Sequence, residues 1–264
     1  MALIHTDFFS DALGMCVEMD VILPEETKGQ IGMEGRDGKG GWKTLYLLHG
    51  MSDDHTIWQR RTSIERYASE KGIAVVMPST QLGWYTDMHC GYKWFTYISE
   101  ELPRVCRAFF PRMSHRREDT FACGLSMGGY GALKLALRAP ETFSCAATLS
   151  GGVDIVHICE QTSLAEDHYW EDIFGPADKV RGSFNDLFAA AEELKASGKP
   201  LPPLYMWCGT EDFLYGENVR MRDHLNALGY DLTYEESPGD HQWKYWDQKV
   251  QTVLNWLPLG KEDC

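Results

Sequence analysis

Basic residues are scarce in this chain. Its 25 lysines and arginines face 39 aspartates and glutamates, a formal net charge of −14 over 264 residues. Such a surface repels nucleic-acid phosphates and anionic lipid headgroups, so neither nucleic acid nor membrane is expected as a partner. Long apolar runs are also missing. The longest, such as Ile73–Met77, are strand-sized and too short to span a bilayer. The opening MALIHTDFFSDALGM has neither the basic stretch nor the apolar core of a secretion signal, which predicts a cytoplasmic location. There is no Cys-x-x-Cys. The eight cysteines (Cys16, Cys90, Cys106, Cys123, Cys145, Cys159, Cys208, Cys264) are scattered, several of them inside apolar runs, as buried free thiols would be. His157, Cys159 and His168 fit no common zinc spacing, and no metal site is expected there. Repeats, linkers and low-complexity tracts are absent, which leaves one domain over residues 1–264.

What remains is 44% hydrophobic and 12% aromatic, enough for a large core. Strand-like and helix-like segments alternate, predicting an α/β architecture: a mostly parallel central sheet with helices on both faces. Expected strands are Cys16–Leu23 (antiparallel), Lys43–Leu48, Ile73–Met77, Thr120–Cys123, Cys145–Leu149, Leu204–Cys208 and Leu232–Glu236. Expected helices are Arg60–Lys71, Tyr97–Phe110 with Pro103 at a kink or near a break, Met127–Arg138, Phe184–Ala196, Asn218–Leu228 and Trp243–Leu257. Gly29–Gly41 reads as a hairpin loop. Gly151–Gly182 is long and weakly periodic, which predicts a small cap-like insertion near the site, about 151–182.

The sharpest chemical signal is Gly124-Leu125-Ser126-Met127-Gly128-Gly129. A nucleophilic serine must stand on a tight strand-to-helix turn, and side chains two residues to either side would collide with that turn. The competing origin is a chance match in a glycine-rich turn. An apolar strand before it and a helix-forming run after it argue for the functional reading.

A serine hydroxyl attacks only when a base takes its proton. On this architecture the acid follows the serine in the chain, and the histidine follows the acid. Of the downstream histidines, His224 falls inside a helix, while His157 and His168 precede the acid candidates. His241 lies in the turn Ser237-Pro-Gly-Asp-His-Gln-Trp243, between the last strand and the last helix, and is the candidate base. The acid should follow the strand Leu204–Cys208. Asp212 is preferred over its neighbour Glu211, and Asp240 stands too close in sequence to bend back onto His241. As alternatives, Asp212 could be a helix cap and His241 a helix-start residue. The oxyanion hole needs two donors: the N–H of Met127, and an N–H after the strand ending Leu47-Leu48-His49-Gly50-Met51, with Met51 preferred. Candidate substrate contacts are His49, Gly50, Trp84, Tyr92 and Trp243; the aromatic loop around Trp84 could equally be a core edge.

The chain resembles the tributyrin esterase family, within the esterase D and feruloyl esterase group. The matching segments are HTDFFSDALGM (5–15), LLHGMSDDHTIW (47–58), GWYTD (83–87), GYKWFTYISEEL (91–102), GLSMGGYG (124–131), GTEDFL (209–214) and GDHQW (239–243). The resemblance covers essentially the whole chain. It implies an α/β-hydrolase fold, hydrolysis of short acyl esters (sometimes of acylated sugars), and no metal or organic cofactor. Carried over by motif, it places the triad on Ser126, Asp212 and His241. The expected partner is a small-molecule ester, and a homo-oligomer is compatible with the sequence. An S-formylglutathione hydrolase-like thioesterase would use the same machinery. A non-enzymatic binding protein on this scaffold would require a lost triad member, and none is lost.

Overall fold

The computed structural model describes residues 1–260 apart from 28, 34, 39 and 163–167. Eight strands form one sheet: β1 (Ala2–Ser10), β2 (Met15–Leu23), β3 (Thr44–Leu48), β4 (Ala74–Pro78), β5 (Thr120–Leu125), β6 (Cys145–Leu149), β7 (Leu204–Gly209) and β8 (Leu232–Ser237). Their order is β1-β2-β4-β3-β5-β6-β7-β8. The pairs β1–β2 and β2–β4 are antiparallel, and all later pairs are parallel. This is the mostly parallel sheet the alternating pattern predicts, in the α/β-hydrolase arrangement the family resemblance implies.

The helices are α1 (Ile57–Arg61), α2 (Ile64–Lys71), α3 (Trp94–Thr96), α4 (Leu102–Phe109), α5 (Met127–Arg138), α6 (Ile155–Thr162), α7 (Tyr169–Phe174), α8 (Ala177–Val180), α9 (Leu187–Ala196), α10 (Tyr215–Leu228) and α11 (Trp243–Trp256). Strands β3 to β7 are buried on both faces, which is why they read as unbroken apolar runs. Alternate residues serve two cores. Tyr46, Leu48, Val76, Ala122 and Met206 join one, which α4, α5, α9 and α10 cover. Leu45, Leu47, Val75, Phe121 and Trp207 join the other, under α1, α2 and α11. No helix among the described residues is long and apolar enough to cross a membrane.

Two expectations need correction. Gly29–Gly41 is not a hairpin loop, because β2 pairs with β1 and β4 while β3 lies between β4 and β5; the segment is a crossover. The hairpin lies earlier, between β1 and β2, where Gly14 takes φ +67° and its N–H bonds Ser10 O at 2.8 Å. The helix expected over Arg60–Lys71 is two helices, broken at Thr62, whose backbone is extended. Pro103 lies near a break, as expected: the π-helical turn Tyr97–Glu101 ends just before it, and Pro103 falls in the first turn of α4, where the N–H it lacks would have no helical partner. Within 151–182 lie three short helices, α6 to α8, and residues 163–167 are outside the described residues. Seven cysteines are free thiols, and five of those are buried; Cys264 lies outside the described residues.

Candidate active site

Strand β5 runs straight into α5, and Ser126 is the residue between them. Its φ of 52° and ψ of −119° lie where a side chain is rarely found, a strain of about 1–3 kcal/mol that persists only where the surroundings impose it. They do so sterically. A Cβ on Gly124 would stand 2.3 Å from Gly128 O, and one on Gly128 would stand 2.4 Å from Leu48 O. The glycines let β3, the elbow and α5 press together and hold Ser126 partly exposed at the carboxyl edge of the sheet.

The two neighbouring parallel strands, β7 and β8, end at the same edge. Asp212 lies three residues past β7 and His241 four past β8. Asp212 Oδ2 is 2.8 Å from His241 Nδ1, and Asp212 Oδ1 accepts from the Leu214 N–H at 2.9 Å. Burial pushes the Asp212 carboxyl up, but the hydrogen bonds from His241 and Leu214 outweigh it and hold the group below the ordinary carboxylate range. The imidazole sits between the rings of Phe213 (4.6 Å) and Trp246 (4.8 Å). With Nδ1 donating to Asp212, Nε2 is left as the basic nitrogen.

Glu211 points elsewhere: its carboxylate accepts from the Gly239 N–H, which lowers its pKa, and its own N–H donates to Gly239 O at 3.0 Å. Thr210 N–H donates to Ser237 O at 3.0 Å. The acid and histidine loops are thus stitched to each other just beyond the strands. Asp240 faces Gln242, not the imidazole.

Gly50 follows β3, and a Cβ there would stand 2.6 Å from Leu125 Cδ1 and 3.6 Å from Ser126 Cβ, so this backbone lies directly against the Ser126 elbow. Met51 comes next and lines the cleft that contains Ser126. Met127 is the first residue of α5, so its N–H has no partner within the helix.

That cleft measures about 410 Å³. Its lining includes Met51 and Trp84, then His157, Ile158, Gln161 and Trp170 from the segment 151–182, Phe213 and Leu214 just before α10, and Glu217 and Arg220 on it. Trp84 is held edge-on to Tyr130 and Phe174 and beside Trp170, and its Nε1 donates to Tyr169 Oη at 3.0 Å. A larger depression, about 660 Å³, lies at the amino edge of the sheet beside Lys43 and Ile73, away from these loops.

Three candidate contacts, His49, Tyr92 and Trp243, are not among the residues lining this cleft. His49 is buried beneath the loop; its Nε2 accepts from Thr80 N–H at 3.0 Å and its Nδ1 donates to Gly50 O at 2.7 Å. Burial lowers its pKa to about 4, so the ring is a neutral strut for the loop backbone. Tyr92 is exposed and lies against Trp94, outside the cleft lining. Trp243 packs between Trp58 and Trp246 in the second core. Glu217 and Arg220, in contrast, line the cleft and carry no sequence signal, because charges on a helix read as a solvated face.

Among the described residues, one group brings three potential metal ligands together: His5, Asp20 and His55, within 4.8 Å of one another. His5 Nδ1 already bonds Asp20 Oδ1 at 2.6 Å, and none of the three lines the cleft.

Glu217 has a measurable consequence. Its pKa is raised to about 7 by burial, then by the nearby Asp154 carboxylate. A raised pKa means that the folded chain holds the proton more tightly than the unfolded one. Its contribution to stability is complete below about pH 4.5 and is lost as pH rises through about 7. For Glu217→Gln, the melting temperature relative to wild type should therefore climb between about pH 5 and pH 8, by up to the order of 3 kcal/mol in stability. Asp53, also raised, to about 6, is common to both proteins and cancels. A constant difference across this range would show that the carboxyl is solvated.

The comparisons with known proteins agree with this fold. The family model described as "Putative esterase" matches residues 10–257. An acetyl esterase of Caldicellulosiruptor saccharolyticus is 31% identical over 263 residues, covering 97% of this chain and 98% of that protein. Among solved structures, the fluorophosphonate-binding serine hydrolase F of Staphylococcus aureus is 33% identical with a TM-score of 0.86, covering 98% of this chain and 99% of that one. The S-formylglutathione hydrolase of the same organism is 34% identical with a TM-score of 0.84 and the same coverage.

Proposed function

Because the chain belongs to this esterase family, and is accordingly a carboxylic ester hydrolase, we propose that it cleaves short acyl esters through Ser126, His241 and Asp212, within a single domain over 1–264 capped by residues 151–182. The observation that carries the proposal is the 2.8 Å contact between His241 Nδ1 and the buried Asp212, at the same sheet edge as a serine on a strained elbow. His241 Nε2 takes the Ser126 proton as Oγ bonds to the ester carbonyl carbon. The N–H groups of Met127 and Met51 hold the oxyanion. The alcohol leaves with the proton from His241, giving an acyl-enzyme. Water, deprotonated by the same nitrogen, then releases the acid and restores the serine. The free thiols fit a reducing, cytoplasmic compartment.

A cleft of about 410 Å³ shared by acyl and alcohol favours small acyl groups. Rates on 4-nitrophenyl acetate, butyrate and octanoate and on a feruloyl ester test this. Acetate or butyrate should lead, and an octanoate or feruloyl optimum would refute the short-acyl reading. The similarity to the S-formylglutathione hydrolase supports a second reading, thioester hydrolysis, because the same groups serve a thiolate leaving group. A kcat/KM for S-formylglutathione above that for the acetate would establish it.

Trp84 supports the alcohol side. Trp84→Ala is expected to raise KM for a benzyl ester several-fold more than for a methyl ester, since only the larger group reaches the indole. Equal changes in the two would mean that Trp84 contributes packing alone.

A further inference from the structure

The cleft contains a polar group that the ester chemistry does not use. Glu217, on the first turn of α10, is 7% exposed, and its Oε2 has no hydrogen-bond partner among the described residues. The Asp154 N–H supports the carboxyl from behind. A buried acceptor left unpaired is costly, and it calls for a donor from the ligand. Arg220, one turn further along, makes no hydrogen bond to that oxygen; its Nε and Nη2 donate to Asp154 Oδ2 at 3.0 and 2.7 Å.

Building on the esterase reading, we propose that Glu217 is a specificity-determining residue that receives a neutral hydroxyl group on the alcohol half of the substrate. Three kinds of ligand group could meet this carboxyl, and the site separates them. An anionic group would face Glu217 and Asp154 with Arg220 already paired. The groove that continues past His157 and Arg220 holds Asp154, Glu160, Asp186 and Glu192 against Arg181 and Arg220, so it is net negative and repels anions further. An ammonium would pair well only with the ionised carboxyl. A hydroxyl donates to the ionised carboxyl and accepts from the protonated one, so it is satisfied in either state. A polyol ester is therefore favoured over a leaving group that carries carboxylates, such as glutathione.

The experiment compares glyceryl 1-acetate with propyl acetate, which differ in two hydroxyls, on wild type, Glu217→Met and Glu217→Gln. Wild type should favour the glyceryl ester in kcat/KM by about tenfold or more, mainly through KM, as a hydrogen bond to a charged or buried group provides. Glu217→Met keeps the length but not the hydrogen bond and should bring the ratio near unity. Glu217→Gln keeps an acceptor and a donor and should hold it within about threefold of wild type. A wild-type ratio near unity, or one unchanged in Glu217→Met, would overturn the inference, and the first of these needs no variant to fold. If wild type cleaves neither ester nor 4-nitrophenyl acetate, the esterase reading itself fails and the inference with it.

Discussion

Ser126→Ala should lose ester hydrolysis by about 10⁶-fold in kcat while the protein still folds. The two halves of that expectation have separate origins. The elbow's positive φ is imposed by the close approach of Gly124 and Gly128 to their neighbours, and alanine meets the same backbone demands as serine. The melting temperature should therefore stay near that of wild type. The hydroxyl, however, supplies the attacking oxygen of the covalent route. The remaining oxyanion donors and binding contacts would leave a residual acceleration of about 10³–10⁴ over water. Retention of more than about a tenth of wild-type activity in a contaminant-free sample would remove Ser126 from the reaction.

Asp212→Asn should lower kcat by about 10⁴-fold. Asp212 Oδ2 faces His241 Nδ1 at 2.8 Å, and its other oxygen is fixed by the Leu214 N–H. The asparagine would keep its oxygen on Leu214 and present its amide N–H to Nδ1. The imidazole would then carry its proton on Nε2, where it cannot accept one from Ser126. Glu211→Gln should cost far less, because that carboxylate faces the Gly239 N–H rather than the ring. If Glu211→Gln is the more damaging change, the acid has been misassigned. The measurement is single-turnover or steady-state kcat for both variants on one ester.

Much of the fold was legible in the sequence because its strongest signals are steric. The two glycines around Ser126 and the Gly-rich turns after β7 and β8 mark places where backbone meets backbone, and such places tolerate few residues. The buried parallel strands β3 to β7 were legible for a related reason, since both faces demand apolar side chains. The edge strand β1 was not read, because only Ser10 of its nine residues is buried and the alternation is faint. The cap helices escaped because α7 and α8 have six and four residues, too few for a helical period to show. His49 and Trp243 look alike on paper whether they face a ligand or the interior. Only the Thr80 N–H on His49 and the Trp58 ring against Trp243 decide it. Glu217 stayed hidden because its burial depends on the cap and on Asp154, which are distant in sequence.

The stitching of the acid and histidine loops bears on how the enzyme should fail. Thr210 to Ser237 and Glu211 to Gly239 prolong the β7–β8 pairing past the last strand residues. The spacing between Asp212 and His241 is therefore inherited from the register of the sheet and not negotiated by flexible loops. The segment 151–182 and the Trp84 loop, in contrast, extend no strand pairing and bond to each other beyond the sheet, His89 N–H to Ile173 O at 3.0 Å and Cys90 N–H to Asp172 O at 2.8 Å. Warming should loosen them first, so that substrate affinity declines while turnover at saturation persists. Turnover should collapse only when β7 and β8 part, at the temperature where the whole sheet melts.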